Sequence, residues 1–403
     1  MIKSLFQKLE GDKVIWMVTF FLSLLSILAV YSAISTLAYK AHGNDLRFLL
    51  KHTTMIILGF IAMYHIHKLP LKYFSKFSSI LIFVSGALLI LAMLFGQNIN
   101  GADRWIAIPF TPLTFQPSDF AKICLIVYLA RLLNHKKDQL GDFRAGVIPV
   151  LIPVAAICVL ILPSNFSTAA MLAFVCLLMM LMAGMPFKHL GKLILIALAA
   201  IGLIIAVGEI APSGALPRYE TWKNRIKNFG DKDSDGNYQI DVAKYAIYEG
   251  GVLPKGPGTG SSRNFLPHPY SDMIYPFIIE EYGSIMGGAG LVLLYLILLF
   301  RTIRFSSKSS SNFGTLAALG LSCLLVIQAL INMGVAVSIL PTTGQPLPMV
   351  SMGGTSTVFT CIALGIIVAV SRSATSSADP VEEDFGANEY SVDNSAMAKT
   401  QLK

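Results

Sequence analysis

Runs of apolar residues, each long enough to cross a bilayer and separated by short polar loops, limit what this chain can become. A helix needs ~20 residues to span ~30 Å of hydrocarbon, and about ten runs meet that criterion. They lie near 14–37, 50–66, 77–95, 118–133, 146–162, 168–185, 190–208, 273–300, 312–339 and 354–371. The 403 residues are 54% hydrophobic and only 13% charged, where a soluble domain runs near ~25% charged. One water-soluble core cannot take up that much apolar surface, because such cores stop growing near ~250–300 residues. The expected fold class is an all-α polytopic membrane protein. The first run is too long for a removable signal peptide and lacks a small-residue cleavage site, so it reads as a retained anchor.

Lys and Arg in the short loops set the orientation. With the N-terminus inside, one side receives Lys3, Lys8, Lys13, Lys68, Lys72, Lys76, Arg131, Lys136, Lys137, Arg144, Lys188, Lys192, Arg301, Arg304 and Lys308. The short loops of the other side hold Lys40, Arg47, Lys51 and Arg104. A bias of about fifteen to four places both termini in the cytoplasm by the positive-inside rule. Residues 209–272 then form a large extracytoplasmic loop between helices 7 and 8, long enough to carry structure or function of its own. Residues 1–372 are the transmembrane domain. Residues 373–403, rich in serine and acid, are expected to be a disordered cytoplasmic tail.

Several function classes fall away. The net charge of +8 and pI near 9.1 do not indicate nucleic-acid binding, because the basic residues sit in short clusters between apolar runs rather than on one stripe. The five cysteines (Cys124, Cys158, Cys176, Cys323, Cys361) lie inside apolar segments without paired spacing, so neither disulfides nor a metal site is indicated. Asp231-Lys-Asp233-Ser-Asp235-Gly236 copies the opening of a calcium loop, yet Val242 stands where an EF-hand requires a bidentate Glu. Lys255-Gly-Pro-Gly258-Thr-Gly260-Ser-Ser262 has its Lys before the glycines, not after them as in a Walker loop. Such backbone can still approach a pyrophosphate through its N–H groups.

Charges inside spans are costly and mark functional sites. Asp119 and Lys122 open the fourth run three residues apart, on one helix face where they can pair. Glu280 and Glu281 sit in the eighth run, and Asp272 lies just before it. Entering from outside, that helix puts Glu280 about 12 Å deeper than Asp272 at ~1.5 Å per residue. The outer face thus gathers Arg104, Asp119, Lys122, Asp272 and Glu281. A carboxylate there can accept a hydroxyl proton, and cations can stabilise a departing phosphate. A purely structural ion-pair network is the alternative.

Four segments resemble one family, the SEDS proteins (shape, elongation, division and sporulation) that include FtsW, RodA and SpoVE. Asn100-Gly-Ala-Asp-Arg104-Trp105, then Gln116-Pro117-Ser118-Asp119 and Ala121-Lys122, is similar to the family's GARRW and QPSE-x-AK segments. Asn165-Phe-Ser-Thr168-Ala stands where the family has Asp-Leu-Gly-Thr-Ala. Gly250-Gly251, Lys255-Gly256-Pro-Gly258, Leu266-Pro267, Asp272 and Glu280-Glu281-Tyr-Gly283 resemble the loop signature. Asn332-Met-Gly334, Pro341-Thr-Thr-Gly344, Leu347-Pro348 and Ser351-Met-Gly353-Gly354-Thr355-Ser356 resemble the signature between the last two spans. The match covers nearly all of residues 10–372. Asp119 replaces a usual Glu, and Asn165 replaces a usual Asp, which weakens any cation site at the fifth-to-sixth loop.

The resemblance implies an inverting peptidoglycan glycosyltransferase that polymerises lipid II on the outer face of the bacterial inner membrane. It implies a class B penicillin-binding protein and other division proteins as partners, at the septum if the chain is FtsW-like. The Arg263–Pro267 run and the extended tail lean toward FtsW rather than RodA. Asp272 is the implied catalytic base. Arg104, Lys122, Lys255, Gly256, Gly258, Ser351, Gly353 and Gly354 are expected to bind substrate. Trp105, Asp119, Glu280, Glu281, Asn332, Pro341 and Pro348 are expected to support them, with Glu281 and Asp119 orienting Lys122 or each other. A divalent cation, Mg²⁺ or Mn²⁺, is the only cofactor considered, with no nucleotide and no haem. A lipid II flippase and a non-catalytic scaffold of the division machinery are the competing classes.

Overall fold

Hydrocarbon offers no water to exposed N–H and C=O groups, so an apolar run must close its own hydrogen bonds as a helix. The computed structural model describes residues 9–40, 45–99, 102–107, 114–210, 219–230, 238–266 and 269–375. The first three helices are α1 (Lys13–Lys40), α2 (Asp45–Ile66) and α3 (Leu71–Phe95). Then come α4 (Pro117–His135), α5 (Ile148–Ile161), α6 (Phe166–Met182) and α7 (Phe187–Ile210). The large loop holds α8 (Tyr219–Gly230) and α9 (Tyr238–Gly250). The last are α10 (Ile274–Tyr282), α11 (Gly290–Ser306), α12 (Asn312–Ala336) and α13 (Thr355–Thr375).

Among the described residues, 8 helical stretches are long and apolar enough to cross a membrane. Two further runs are helical as well. α6 has 17 residues, and α4 has 19 that include Asp119, Lys122 and Arg131. The chain is a helical, multi-pass membrane protein. α12 is its axis, packed against α4, α6, α11 and α13. Its most apolar window is 67% buried, against 6% for α7, which stands at the periphery.

Three local features depart from expectation. The loop before α4 carries a three-stranded antiparallel sheet of β1 (Gln97–Ile99), β2 (Ala102–Ala107) and β3 (Thr114–Phe115), so the chain is not wholly α. Strands this short show no legible period-2 pattern. The eighth run is broken: α10 ends at Gly283, a π-helical segment covers Gly283–Ala289, and α11 resumes. Gly283 has φ +75°, and a Cβ there would lie 2.6 Å from the Val252 carbonyl oxygen. Only glycine fits that crossing. Finally, α13 continues through Thr375, three residues past the expected boundary; the rest of the tail, and Asp231–Gly236, lie outside the described residues.

Polar contacts sort to two ends. At one, Arg301 bonds Asp12 at 2.6 Å, the Asp12 N–H donates to Ser371 Oγ, and Arg131 donates to Ser75 O and Ser79 Oγ. At the other, Ser32 donates to Glu281, Thr355 to Thr114 O, and Arg225 to Thr342 O.

Candidate functional site

Between α12 and α13 the chain runs without regular structure through residues 341–353, yet Gln345 and Leu347–Ser351 are buried. Irregular backbone at such a place requires protein partners for its polar groups. Side chains from five helices supply them. Gln328 donates to Pro346 O at 2.9 Å, Tyr295 to Pro348 O at 2.5 Å, and Ser26 to Val350 O at 2.7 Å. Gln345 donates to Thr168 at 2.5 Å, and Thr168 N–H in turn donates to Asn165, the N-cap of α6. The capping bond gives Asn165 a structural role.

The Asp272 segment is tied to this loop. The Asn332 amide donates to Asp272 O and to Gln345 O, each at 2.8 Å. Ser351 Oγ donates to Ser271 O at 2.5 Å and accepts from Leu347 N–H at 2.8 Å, while Met352 N–H donates to Tyr270 O. Asp272 itself is half-buried. Burial, and then the Asp272 charge, raise the Tyr270 phenol above its usual value, which keeps it protonated. Ser351 is buried, and its two bonds staple the irregular segment to the Asp272 loop. Gly353 and Gly354 are half-buried, and their carbonyls accept the first N–H groups of α13.

A second cluster forms around Glu280 and Glu281. Glu280 accepts from Ser261 N–H at 2.8 Å, from Ser262 N–H at 3.1 Å, and from both serine hydroxyls. Glu281 Oε1 accepts from Ser32 at 2.5 Å, Gly258 N–H at 2.8 Å and Gly260 N–H at 3.4 Å. Its main-chain carbonyl takes Lys255 and Gly256 N–H. The two carboxylates thus shape the whole glycine-rich loop. Arg263 Nη1 reaches Ser32 O at 3.3 Å beside them. Lys255 is exposed and pairs with Glu249 at 3.5 Å.

Asp119 and Lys122 pair at 2.9 Å, both 6% exposed. Lys122 also donates to Gln328 at 3.2 Å, and through Gln328 it touches the 341–353 segment. This corrects one expected link: Glu281 serves the glycine-rich loop and does not orient Lys122 or Asp119. Arg104 and Trp105 are half-buried on β2, and the indole N–H has no hydrogen-bond partner among the described residues. Pro341 is half-buried at the start of the irregular segment, and Pro348 is buried within it.

Residue reasoning missed Gln328, Gln345, Ser262 and Arg225. The first two are polar in apolar surroundings, a signal that was available but was applied only to ionisable residues. Arg225 lies in the first half of 209–272, where no substrate-site residue was expected, although the loop was expected to carry structure or function of its own. It lies on α8, with Nη1 3.0 Å from Thr342 O.

The family model for FtsW, RodA and SpoVE, described as "Cell cycle protein", matches residues 12–376. The chain is 30% identical to Stage V sporulation protein E of Bacillus subtilis (strain 168), covering 91% of this chain and 98% of that one. It is 29% identical, at the same coverage, to a protein named probable peptidoglycan glycosyltransferase FtsW of Geobacter sp. (strain M18). A solved chain described under structural coordination of polymerization and crosslinking by a peptidoglycan synthase complex superposes with TM-score 0.71 at 23% identity, covering 91% of this chain and 98% of that one. The rod shape determining protein RodA of Thermus thermophilus gives 0.64 at 23% identity, with the same coverage. At such identities the structural likeness is one of fold.

Proposed function

The chain belongs to the FtsW, RodA and SpoVE family, and from that premise we propose that it is a peptidoglycan glycosyltransferase polymerising lipid II at the outer face of the bacterial inner membrane. The observation that carries the reading is the setting of Asp272. Asn332 clamps its main-chain carbonyl against the irregular segment, which positions the half-buried carboxylate beside that segment. In the proposed step an acceptor sugar hydroxyl attacks the anomeric carbon of the growing strand. A new carbon–oxygen bond forms as the bond to pyrophosphate breaks, the electron pair leaves with the lipid pyrophosphate, and configuration inverts. Asp272 receives the hydroxyl proton, a role that contributes ~10²–10⁴-fold.

Arg104 and the glycine-rich loop with Lys255 are assigned to substrate on this reading, and Lys122 acts as a positioning residue through Asp119 and Gln328. A lipid tail has a place to lie. A cavity of about 450 Å³ opens between α5, α6 and α7, and Cys158, Phe166, Phe174, Leu193, Ala197 and Ile201 are among its residues. Among the described residues no three His, Cys, Asp or Glu side chains form a cation cage. Mg²⁺ or Mn²⁺ would enter here as a companion of the substrate pyrophosphate. The crosslinking complex among its structural relatives supports a class B penicillin-binding protein as partner. Relatives named FtsW support a division role at the septum.

The test is polymer formation on gels from purified protein and lipid II, with and without a class B penicillin-binding protein. Wild type is expected to make glycan and Asp272→Ala to make none while remaining folded. Polymer from Asp272→Ala sinks the base assignment. No polymer from wild type, even with the partner, moves the reading to a flippase or a scaffold, which a lipid-flipping assay separates.

A further inference from the structure

Helix α8 touches the ends of three membrane helices in succession. The Tyr219 ring lies against Gly208 in the last turn of α7, where a Cβ would come within 2.5 Å of it, and the Tyr219 hydroxyl donates to Glu209 at 2.7 Å. One turn on, the Trp222 ring packs against Phe166 at the start of α6, with centroids 4.9 Å apart. A further turn on, Arg225 Nη1 donates at 3.0 Å to Thr342 O, in the segment that follows α12. Steps of three keep residues on one side of a helix. α8 therefore lies flat across these helix ends, with the side that bears Tyr219, Trp222 and Arg225 turned toward the membrane.

Beyond these contacts the same side carries Ile226 and Phe229, 69% and 43% exposed. Together with Tyr219 and Trp222 they form one apolar stripe at helical spacing. Cations edge the stripe, Lys223 and Lys227 along one border and Arg225 along the other, while Asn224 lies on the opposite face. The support under α8 is itself a lipid-facing helix: α7 is the least buried span among the described residues and exposes Leu203 and Ile210. Lys223 pairs with Glu209 at 2.7 Å, and Lys227 is exposed one turn further along.

We propose that α8 is a membrane-binding helix on the Asp272 side of the protein. It sinks Ile226 and Phe229 to the acyl boundary and sets Lys227 among anionic phospholipid headgroups. An apolar stripe edged by Lys and Arg, lying in the plane where membrane helices end, is the form that binds a lipid interface. A protein partner would approach from the water, on the Asn224 face, whereas the apolar pair faces the other way. Nothing in this arrangement depends on the chemistry at Asp272.

The test uses the full chain in nanodiscs of phosphatidylcholine, with or without phosphatidylglycerol. An environment-sensitive fluorophore is attached to Ile226→Cys, Phe229→Cys or Asn224→Cys, and the unsubstituted chain gives the background from native cysteines. At an apolar depth of ~5–10 Å, the labels on Ile226→Cys and Phe229→Cys should emit further to the blue than the one on Asn224→Cys. A lipid with a nitroxide high on its acyl chain should quench them severalfold more. The Asn224→Cys label should respond instead to a water-soluble quencher. Phosphatidylglycerol should raise the lipid quenching of Ile226→Cys, and Lys227→Gln should remove most of that gain. Equal, water-exposed labels at all three positions overturn the proposal. So does a blue shift of Ile226→Cys that appears only when a penicillin-binding protein is added and without lipid quenching, because the face then belongs to a protein. Quenching that ignores both phosphatidylglycerol and Lys227→Gln overturns the headgroup assignment.

Discussion

Asp119 and Lys122 sit in the first two turns of α4, both buried, with the helix N-terminus favouring the acid. Their pairing could be read from the i,i+3 spacing alone. What the spacing could not give was Gln328, which comes from α12 and draws the lysine toward the irregular segment. The structure makes the pair a support, and a double-mutant series separates support from substrate binding. Lys122→Met alone leaves a buried carboxylate uncompensated and should cost ~3–5 kcal/mol. Adding Asp119→Leu should recover most of that loss, because a buried pair replaced by apolar residues is often neutral. Thermal unfolding of the detergent-purified variants reads both effects. A double variant as unstable as the single one would show that Lys122 is held by something other than this pair.

At the scale of elements, the glycine-rich loop and α10 form one unit because two adjacent carboxylates collect its N–H groups. The sequence marked both glutamates as costly charges and left their partners unread. Those partners are main-chain donors about twenty residues away, and no side-chain pattern announces them. The three short strands stayed hidden because their periodicity is too brief to register, whereas α8 carries a readable one in Tyr219, Trp222, Ile226 and Phe229. The long apolar helices were legible for the opposite reason: hydrocarbon leaves a run of that length no other structure. The unit is testable by proteolysis, since Lys255 and Arg263 flank the loop as trypsin sites. Glu281→Ala removes charge-assisted bonds worth ~1.5 kcal/mol or more. Opening should rise roughly tenfold, and cleavage follows the open population when reclosing is fast. Cutting after Lys255 and Arg263 at the wild-type rate would mean that the loop is held by other contacts.

For the whole molecule, the question is which end faces the cytoplasm. Asp272, the two glutamates, Arg225 and the sheet gather at one end, while Asp12, Arg131, Arg301 and Ser371 gather at the other. Lys and Arg are concentrated in the loops of the second end, and the positive-inside rule turns that end inward. On that rule the carboxylate site is expected to face outward, where a polymerising enzyme needs it. Thiol labelling in spheroplasts decides the matter with little background, because Cys124, Cys176 and Cys361 are buried and Cys158 and Cys323 half-buried in helices. Thr259 and Ser310 are exposed, one on the glycine-rich loop and one between α11 and α12. A membrane-impermeant maleimide should label Thr259→Cys in intact spheroplasts and Ser310→Cys only after lysis. The reverse pattern would put Asp272 on the cytoplasmic face. The carboxylate would then meet the lipid-linked precursor on the side where it is made, and a transport step would become the stronger reading of the site.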